Sequence, residues 1–336
     1  MENAKDKTAT TTDGGNQASQ TNAAAKRLRD LMVIDVMPER KVVFLEHSIS
    51  VEDALAVLED KNISSAPVVD LAKSSFLGFV DMLDVITFLL GLFPDVESLT
   101  PKNLLTLEWA GKHFAESPIS EVLEVSKQYR VFATGSHPVK RETSLDKLVE
   151  YFWLGMHRVP VVNTHHNIIN IVTQSDMLRF LAQNIHLIGD AAKKSLDSYG
   201  LGRSQEVISV SADDKVSHVL MQLNSKRISA VPVVDAEGKL VANFSGTDLK
   251  GLTKKNLADL LLPVKQFLEK RAAPEENFQC ERSLHPLTVK PDASLEDAIF
   301  KLAATRVHRL YSVDEEGKPI GVVAITDLMK AFLNMA

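Results

Sequence analysis

The sequence of 336 residues contains a single cysteine, Cys280, so no disulfide bond can form within one chain. Such sparing use of cysteine is typical of a reducing compartment. No apolar run approaches the roughly 18 residues that a membrane-spanning helix needs. The longest candidate, VITFLLGLF at 85–93, is better interpreted as a buried helix that continues into a loop. We therefore expect a protein of the cytoplasm, the nucleus or both, with no membrane partner.

Excess basic charge and catalytic motifs are missing as well. The formal net charge of -6 argues against a nucleic-acid partner, because domains that bind nucleic acid are usually basic. The sequence has no Walker loop, no GxSxG, no HExxH and no cysteine pair, so we expect no enzymatic activity and no catalytic cofactor. His165 and His166 could ligate a metal ion, but no further ligands accompany them, and we expect no metal site.

One pattern of structural elements occurs four times in the rest of the chain. Each copy has apolar residues at positions i, i+3, i+4 and i+7, the spacing of an amphipathic helix. Two short apolar strands joined by a turn follow, and an aspartate then opens a second helix. The distance from the first helical position to that aspartate is 31 to 33 residues in every copy. The helical positions are Val51, Ala54, Leu55 and Leu58; Leu145, Leu148, Val149 and Phe152; Val216, Val219, Leu220 and Leu223; and Leu295, Ala298, Ile299 and Leu302.

Each copy is interpreted as a strand–helix–strand–strand–helix repeat. A unit of about 50–60 residues buries too little surface to be stable alone, so the repeats should pair and the pairs should stack. We expect pairs at 28–187 and 203–335, with protease cleavage in the N-terminal tail and at 188–205. Capping boxes are predicted at Ser50-x-x-Asp53, Thr143-x-x-Asp146 and Ser294-x-x-Asp297. The predicted segments are a disordered tail at 1–27, repeats at 28–92, 119–187, 203–252 and 281–336, an insert at 93–118, a linker at 188–202, and a connector at 253–280 with a helix at about 256–270.

These residues resemble the cystathionine-β-synthase (CBS) domain family. The stretches that carry the resemblance are APVVDLAKSSFLGFVDMLDVITFL at 66–89, HRVPVV at 157–162, RISAVPVVDAEGKLV at 227–241 and VHRLYSVDEEGKPIGVVAITDLMKAF at 307–332. The resemblance implies an α+β fold of four CBS domains, each a β-α-β-β-α unit, paired into two Bateman modules that form a disc. Within the family, the chain resembles the gamma subunits of AMP-activated protein kinase, including their yeast and plant relatives.

The resemblance implies a non-catalytic regulatory subunit that binds AMP, ADP or ATP as regulatory ligands. Its implied partners are a protein kinase catalytic subunit and a scaffolding subunit. The alternative is a stand-alone CBS sensor that regulates another enzyme or a transporter. A third hypothesis is a structural repeat protein whose sites bind nothing.

The closing aspartates are the first candidate ligand residues: Asp84, Asp176, Asp248 and Asp327. An aspartate in the first turn of a helix often serves only as a cap. Alternatively, the carboxylate accepts both hydroxyls of a ribose, as an acidic residue does in dinucleotide-binding folds, and the resemblance implies this role. Thr173 and Ser245 place a hydroxyl three residues before two of the aspartates, where the other repeats have Asp81 and Ala324.

The pairs His157-Arg158 and His308-Arg309 are the second group of candidates. They could be solvated cations at a helix C-terminus, or they could bind phosphate through the forked donors of arginine and the ring of histidine. The resemblance implies the phosphate role. Lys226-Arg227 holds a related place that is offset by one residue.

The run Ile228-Ser229-Ala230 is the third candidate, either as ordinary packing between a turn and a strand or, as the resemblance implies, as the adenine and ribose pocket. The sequence departs from the gamma subunits at Ser64 and Ser175, where they carry cations that contact phosphate. It departs again at Asp176, a position that is usually not aspartate in animal gamma subunits. These differences predict less positive charge at the centre and a usable site where one is normally empty.

Overall fold

The structure is a computed structural model that describes residues 30–93, 95–96, 100, 102–127, 137–204, 206–272 and 286–335. The predicted tail at 1–27 and Cys280 lie outside the described residues. The helices are α1 (Val33–Val36), α2 (Val51–Asp60), α3 (Met82–Gly91), α4 (Leu104–Glu116), α5 (Ile119–Lys127), α6 (Leu145–Trp153), α7 (Gln174–Gln183), α8 (Val216–Lys226), α9 (Val264–Ala272), α10 (Leu295–Thr305) and α11 (Ile325–Met335). Short 3-10 helices cover Ile185–Leu187, Gly189–Lys193, Leu196–Tyr199, Gly246–Leu249 and Leu257–Leu261.

Each repeat contributes its own small sheet. In repeats 1, 3 and 4, the short first strand pairs in parallel with the second, and the second pairs antiparallel with the third. In repeat 2 the first strand is reduced to an isolated bridge between Val139 and Val161. The strands are β1 (Leu45–Glu46), β2 (Ser65–Asp70), β3 (Ser75–Asp81), β4 (Arg158–Val162), β5 (Ile168–Thr173), β6 (Val210–Ser211), β7 (Ala230–Val234), β8 (Leu240–Ser245), β9 (Thr288–Val289), β10 (Arg309–Val313) and β11 (Pro319–Ala324).

The four amphipathic helices are confirmed. They are α2, α6, α8 and α10, and all of the predicted apolar positions are buried. The mixed fold of four repeats is therefore confirmed: each has a helix, a hairpin and a closing helical turn, and all but repeat 2 also have the short first strand. The stretch VITFLLGLF is also a buried helix, because Val85, Ile86 and Leu89 of α3 lie in the core. Among the helices of the described residues, none combines the length and the apolar character needed to cross a membrane.

The predicted capping box at Ser294 is confirmed, since the Asp297 carboxylate accepts a hydrogen bond of 3.1 Å from the Ser294 amide, whereas Ser50 is confirmed only as an N-cap. The Ser50 and Ser294 hydroxyls each accept a hydrogen bond of 3.1 Å from the amide three residues later. The prediction for Thr143 is wrong, because α6 begins one residue later and its N-cap is Ser144, whose side chain makes no capping hydrogen bond. Thr143 instead accepts a hydrogen bond from the Lys140 amide, so its hydroxyl stabilises the preceding turn.

The third repeat ends differently from the other three. A full apolar helix was expected after Asp248, but the chain forms only the 3-10 turn Gly246–Leu249 and becomes extended at Lys250. The turn packs tightly against α3 of repeat 1. A side chain at Gly246 would place its Cβ 3.1 Å from Met82 Cβ, so any larger residue would force α3 and the turn slightly apart. The helix predicted at about 256–270 is likewise two pieces, Leu257–Leu261 and α9.

Short segments exchanged between neighbouring repeats join them into two modules. We call the segment that precedes each repeat its leader; the four leaders are 31–36, 117–127, 194–199 and 262–272. The leader of repeat 1 packs on repeat 2, and the leader of repeat 2 packs on repeat 1; repeats 3 and 4 exchange leaders in the same way. In every case the first amide of the amphipathic helix donates to a leader carbonyl, at 2.9 to 3.0 Å. These pairs are Val51 to Ser117, Leu145 to Leu31, Val216 to Leu262, and Leu295 to Lys194.

The hydrophobic cores connect the two modules. One continuous core unites repeats 1 and 3, where α3 packs on α8. A second unites repeats 2 and 4, where α6 packs on α11 and α7 packs on α10. Because exchange joins 1 to 2 and 3 to 4 while the cores join 1 to 3 and 2 to 4, the four repeats close into a ring. The expected disc of two modules is therefore confirmed.

The predicted insert and linker are both parts of these cores. Within the insert at 93–118, α4 contributes Leu107, Ala110 and Phe114 to the core of repeats 1 and 3. Within the linker at 188–202, the side chains of Ala192 and Leu196 are buried against repeat 4. The expectation of protease cleavage at 188–205 does not fit the described part of this segment, because proteases need a backbone that can leave its surroundings.

Replacing Leu196 by alanine should therefore reduce the free energy of unfolding by about 2–5 kcal/mol, the range for a buried leucine that leaves a cavity. The variant should also become sensitive to proteases between residues 188 and 204. Chemical denaturation and limited proteolysis measure the two effects. Leu105→Ala is the matched control, because Leu105 is 82% exposed and its loss should change stability by at most about 0.5 kcal/mol. Equal stability of both variants would show that the linker is not part of the core.

Candidate functional site: a cationic centre beside the closing aspartates

All four closing aspartates occupy the same position in their repeats. Each accepts a hydrogen bond through Oδ2 from the amide three residues earlier, which is the geometry of a helix cap. The distances are 2.8 Å from Asp81 to Asp84, 2.9 Å from Thr173 to Asp176, 2.7 Å from Ser245 to Asp248, and 2.8 Å from Ala324 to Asp327. The Thr173 and Ser245 hydroxyls donate to the same oxygens, at 2.7 and 3.0 Å. Every closing aspartate thus caps its helical turn. Binding of a ribose by the same carboxylates stays a prediction.

Asp327 has little to compensate its charge. Burial raises the pKa of its carboxyl group, while the Ala324 amide, Lys330 and Arg309 oppose this shift only in part. Among the described residues, Ala324 is the one hydrogen-bond donor to this carboxylate. A partly buried carboxylate with so few donors is stabilised by any ligand that brings hydroxyl groups to it.

Arg309 brings two of the predicted groups together. Its guanidinium donates to the Ala230 carbonyl at 3.0 Å and to the Ser229 hydroxyl at 2.7 Å. The predicted phosphate residue of repeat 4 therefore lies directly against the predicted adenine and ribose run of repeat 3. Ile228, the first residue of that run, is half-buried, and its amide donates to the Leu223 carbonyl at the end of α8.

Tyr311 and Asn243 strengthen the same junction and were not predicted as functional residues. The Tyr311 hydroxyl donates to the Asn243 side chain across the boundary between repeats 4 and 3. Burial raises the pKa of Tyr311 to about 12, although Arg309 nearby opposes the shift. Tyrosine and asparagine inside strands carry no motif that would have indicated this contact from the sequence.

Positive groups from both modules meet around His308. Loss of hydration next to the surrounding protein, together with the charges of Arg309, Arg158 and Lys250, lowers the pKa of His308 to about 4. The ring is therefore neutral at physiological pH. His308 is at the same time classed among the exposed residues, so a ligand in solution can reach it. Arg158 also lies 4.0 Å from Asp81 of repeat 1. We call Arg158, Lys250, His308 and Arg309 the central cationic cluster.

Lys250 is the member of this cluster that sequence analysis missed. It is only 6% exposed, which is rare for lysine. Sequence analysis expected a continuous helix after Asp248, on which a lysine would extend into solvent. The helical turn instead ends at Leu249, and the Lys250 side chain is buried. Ser64 and Ser175, the two positions at which less positive charge was predicted, are both half-buried.

The remaining predicted cations have other contacts or positions. His157 is exposed, and its carbonyl accepts a hydrogen bond from the Gln174 amide at 3.1 Å. Arg227, the offset cation of repeat 3, donates to Thr87 and Asn224 at the junction of repeats 1 and 3. The arginine thus joins the two repeats through their polar side chains.

Asp176 is engaged by two arginines. Arg40 donates to both carboxylate oxygens, at 3.0 and 2.8 Å, and Arg179 of the same helix donates to Oδ1. The usable site predicted at Asp176 therefore has its carboxylate covered by the chain's own side chains. Arg40 was not identified from the sequence, because it lies in an irregular segment 136 residues away.

One group of potential metal ligands occurs among the described residues. Side-chain atoms of Glu46, His47 and Asp70 lie within 4.8 Å of one another. Lys73 already pairs with Asp70 at 3.1 Å, and its hydrogen bonds lower the pKa of that carboxyl group. His47 is also within 2.7 Å of Glu46. The group therefore satisfies its own charges, and it gives no ground for assigning a metal.

Comparison with known proteins agrees with this architecture. The model of the CBS domain family matches residues 33–91, 115–183, 203–252 and 282–334. The chain belongs to the CBS domain family. Among solved structures it is similar to protein MJ1225 of Methanocaldococcus jannaschii, a proposed archaeal homologue of the gamma subunit of AMPK, with a TM-score of 0.69 and 17% identity over 90% of this chain and 100% of that one. At this identity the likeness shows the fold alone.

Two curated relatives bear different names. The chain is 29% identical over 313 residues to the 5'-AMP-activated protein kinase subunit gamma of Dictyostelium discoideum, covering 89% of this chain and 51% of that protein. It is 26% identical over 322 residues to Protein SDS23 of Kluyveromyces lactis, covering 88% of this chain and 60% of that protein. The chain thus spans about half the length of the first relative and three fifths of the second.

The pKa of His308 should report phosphate binding directly. In the free protein, NMR titration of its ring should show a midpoint near 4. AMP should raise this pKa because a phosphate anion favours the charged ring, whereas adenosine should leave it unchanged. Because the folded-state pKa is depressed, the stability contribution of His308 is present above the ordinary value of 6.5 and is lost as the pH falls towards 4. A midpoint near 6.5 that AMP does not move would contradict the cluster.

Proposed function

We propose that this protein is a non-catalytic regulatory subunit that binds adenine nucleotides at the centre of the disc and controls a protein kinase of the AMP-activated type. The observation that carries the proposal is the central cationic cluster. A chain with a net charge of -6 gathers Arg158, Lys250 and Arg309 around one neutral histidine. Like charges that act on one group also repel each other, and an anion of high charge density relieves that repulsion.

The neighbouring groups match the rest of a nucleotide. The partly buried Asp327 carboxylate would accept ribose hydroxyls, and Asp248, Asp84 and the Ser245 hydroxyl are further candidates at equivalent places. The backbone of Ile228, Ser229 and Ala230 would border the base. Arg309 joins that run to the central cationic cluster, because it contacts Ser229 and Ala230. A nucleotide that lies along this line would have its phosphates beside Arg309, Arg158 and His308.

Regulation would work through a difference in nucleotide affinity between two states of a complex, since a ligand shifts an equilibrium only by that difference. The ring of four repeats suits this role, because a phosphate at the centre touches residues from both modules. The proposed partners are a kinase catalytic subunit and a scaffolding subunit, and the similarity to a gamma subunit of Dictyostelium discoideum supports them. The proposed compartment is the cytoplasm, the nucleus or both.

The second candidate is a CBS sensor that regulates another enzyme or a transporter, and the similarity to Protein SDS23 favours keeping it. Purification of the tagged full-length chain from its native cells, followed by mass spectrometry, separates the two. Recovery of a kinase catalytic chain in stoichiometric amount supports the first candidate. Recovery of a different enzyme or a transporter in that amount, without the kinase, supports the second.

Replacing Arg309 by glutamine should weaken AMP and ATP binding about tenfold or more, because a hydrogen bond to a charged group contributes roughly 1.5–3 kcal/mol. Adenosine binding should stay nearly unchanged, since adenosine carries no phosphate. The loss should shrink at high salt, where part of the interaction is screened. Isothermal titration calorimetry with AMP and adenosine measures each effect.

Arg306→Gln is the matched control for that experiment, because Arg306 is exposed at the end of α10. It should bind AMP like the wild type. Equal losses of AMP and adenosine in Arg309→Gln would indicate a damaged fold, and no loss of either would remove the phosphate role of Arg309.

A further inference from the structure

Arg40 holds the Asp176 carboxylate of repeat 2 in a two-point contact. Its two terminal nitrogens donate to the two carboxylate oxygens, at 3.0 and 2.8 Å. The Asp176 side chain is 2% exposed, whereas the Arg40 side chain is 46% exposed. A buried carboxylate is therefore covered from the solvent side by an arginine that belongs to another repeat.

The carboxylate of Asp176 has no capacity left for another ligand. It accepts hydrogen bonds from two nitrogens of Arg40, from Arg179, and from the amide and hydroxyl of Thr173. An ionised carboxylate offers about four acceptor positions, so these donors already fill it. A ribose would need two of the same positions for its neighbouring hydroxyls. Arg40 and a ribose therefore compete for one set of atoms.

Arg40 is positioned by a short irregular segment between α1 and β1. The Pro38 carbonyl of this segment accepts a hydrogen bond of 2.9 Å from the Asn170 side chain, and another of 2.9 Å from the Arg40 amide. The α1 helix is docked on repeat 2, which fixes one end of the segment beside Asp176. Because Arg40 itself is half exposed, its side chain can turn into solvent without opening a core.

We propose that the repeat 2 carboxylate is a latent binding site for an adenosine-type ligand with neighbouring ribose hydroxyls, and that Arg40 keeps it closed. The guanidinium donates two parallel N–H hydrogen bonds to the two carboxylate oxygens. The two neighbouring hydroxyls of a ribose can donate to the same two oxygens. Arg40 thereby determines how many nucleotides one chain binds. This inference rests on the proposed function, because it assumes that the same ligand class binds in the disc.

Arg179 has a different part in this arrangement. It follows Asp176 by three residues on the same helix, is 41% exposed and donates to Oδ1 alone. With Arg40 removed, one position on Oδ1 is open, and the Thr173 hydroxyl can rotate its proton away to open a second on Oδ2. The opened site then offers carboxylate oxygens beside the half-exposed guanidinium of Arg179, which a phosphate can reach.

The test is the number of AMP molecules bound per full-length chain, measured by equilibrium dialysis at saturation. Arg40→Ala should bind one AMP more than the wild type. The double variant Arg40→Ala with Asp176→Asn should lose this additional AMP. Lys41→Ala is the matched control, because Lys41 is exposed in the same segment, and it should bind as the wild type does. Arg40→Lys, which keeps the charge but cannot contact both oxygens as a fork, should bind the additional AMP more weakly than Arg40→Ala.

Three results would count against one or both proposals. If the wild type binds AMP and neither Arg40 variant binds more, Arg40 does not close a site, and the proposed function stands. If the wild type binds none and Arg40→Ala binds one, the closed site stands and the central site fails. If no variant binds AMP, both are overturned. Thermal unfolding of each variant verifies folding, and Arg40→Lys provides the stoichiometry should Arg40→Ala fail to fold.

Discussion

The fold depends on the hydrogen bond that the first amide of each amphipathic helix donates to a neighbouring repeat's leader. The N-terminal amides of a helix have no partner within the helix, and in this protein the leader of the neighbouring repeat supplies one. Val51, Leu145, Val216 and Leu295 donate to leader carbonyls, and the first amide of each leader helix donates back to the same region. No repeat is therefore complete by itself, which is how four units of marginal size form one stable molecule.

This exchange also explains where the charges lie. Within each pair of repeats, the arginine at the start of one hairpin lies against the neighbouring repeat: Arg158 is 4.0 Å from Asp81, and Arg309 donates to Ser229 and Ala230. The shared cores of repeats 1 and 3 and of repeats 2 and 4 then bring both modules together. Arg158 of one module and Arg309 of the other consequently act on the same histidine. Closing the ring thus brings positive charges from both modules to bear on His308, and this is the ground for the proposed anionic ligand.

The sequence predicts the repeated elements well because apolar periodicity depends on burial alone. All four helical stripes are buried as their spacing indicates, and the hairpins follow them in the expected order. The predictions fail where a contact distant in sequence overrides a local signal. Asp248 opens a 3-10 turn because α3 packs against Gly246. The linker at 188–202 is packed because Leu196 belongs to the core of repeats 2 and 4.

The candidate site was predictable in part for the same reason. Aspartates and His-Arg pairs recur at fixed places in the repeat, so the sequence identifies them as a set. Lys250 and Arg40 do not recur, and only the folded chain places Lys250 near His308 and Arg40 on Asp176. Both residues alter the local balance of charge, one by adding a cation to the centre and one by neutralising a carboxylate.

We propose that a nucleotide phosphate binds at the meeting point of the two modules. A crystal structure of the full-length protein with AMP tests this most directly. We expect the phosphate within hydrogen-bonding distance of Arg309 and beside His308, with the ribose hydroxyls on a closing aspartate. AMP bound on the outer surface of the disc, or with its phosphate directed away from Arg158, His308 and Arg309, would contradict it.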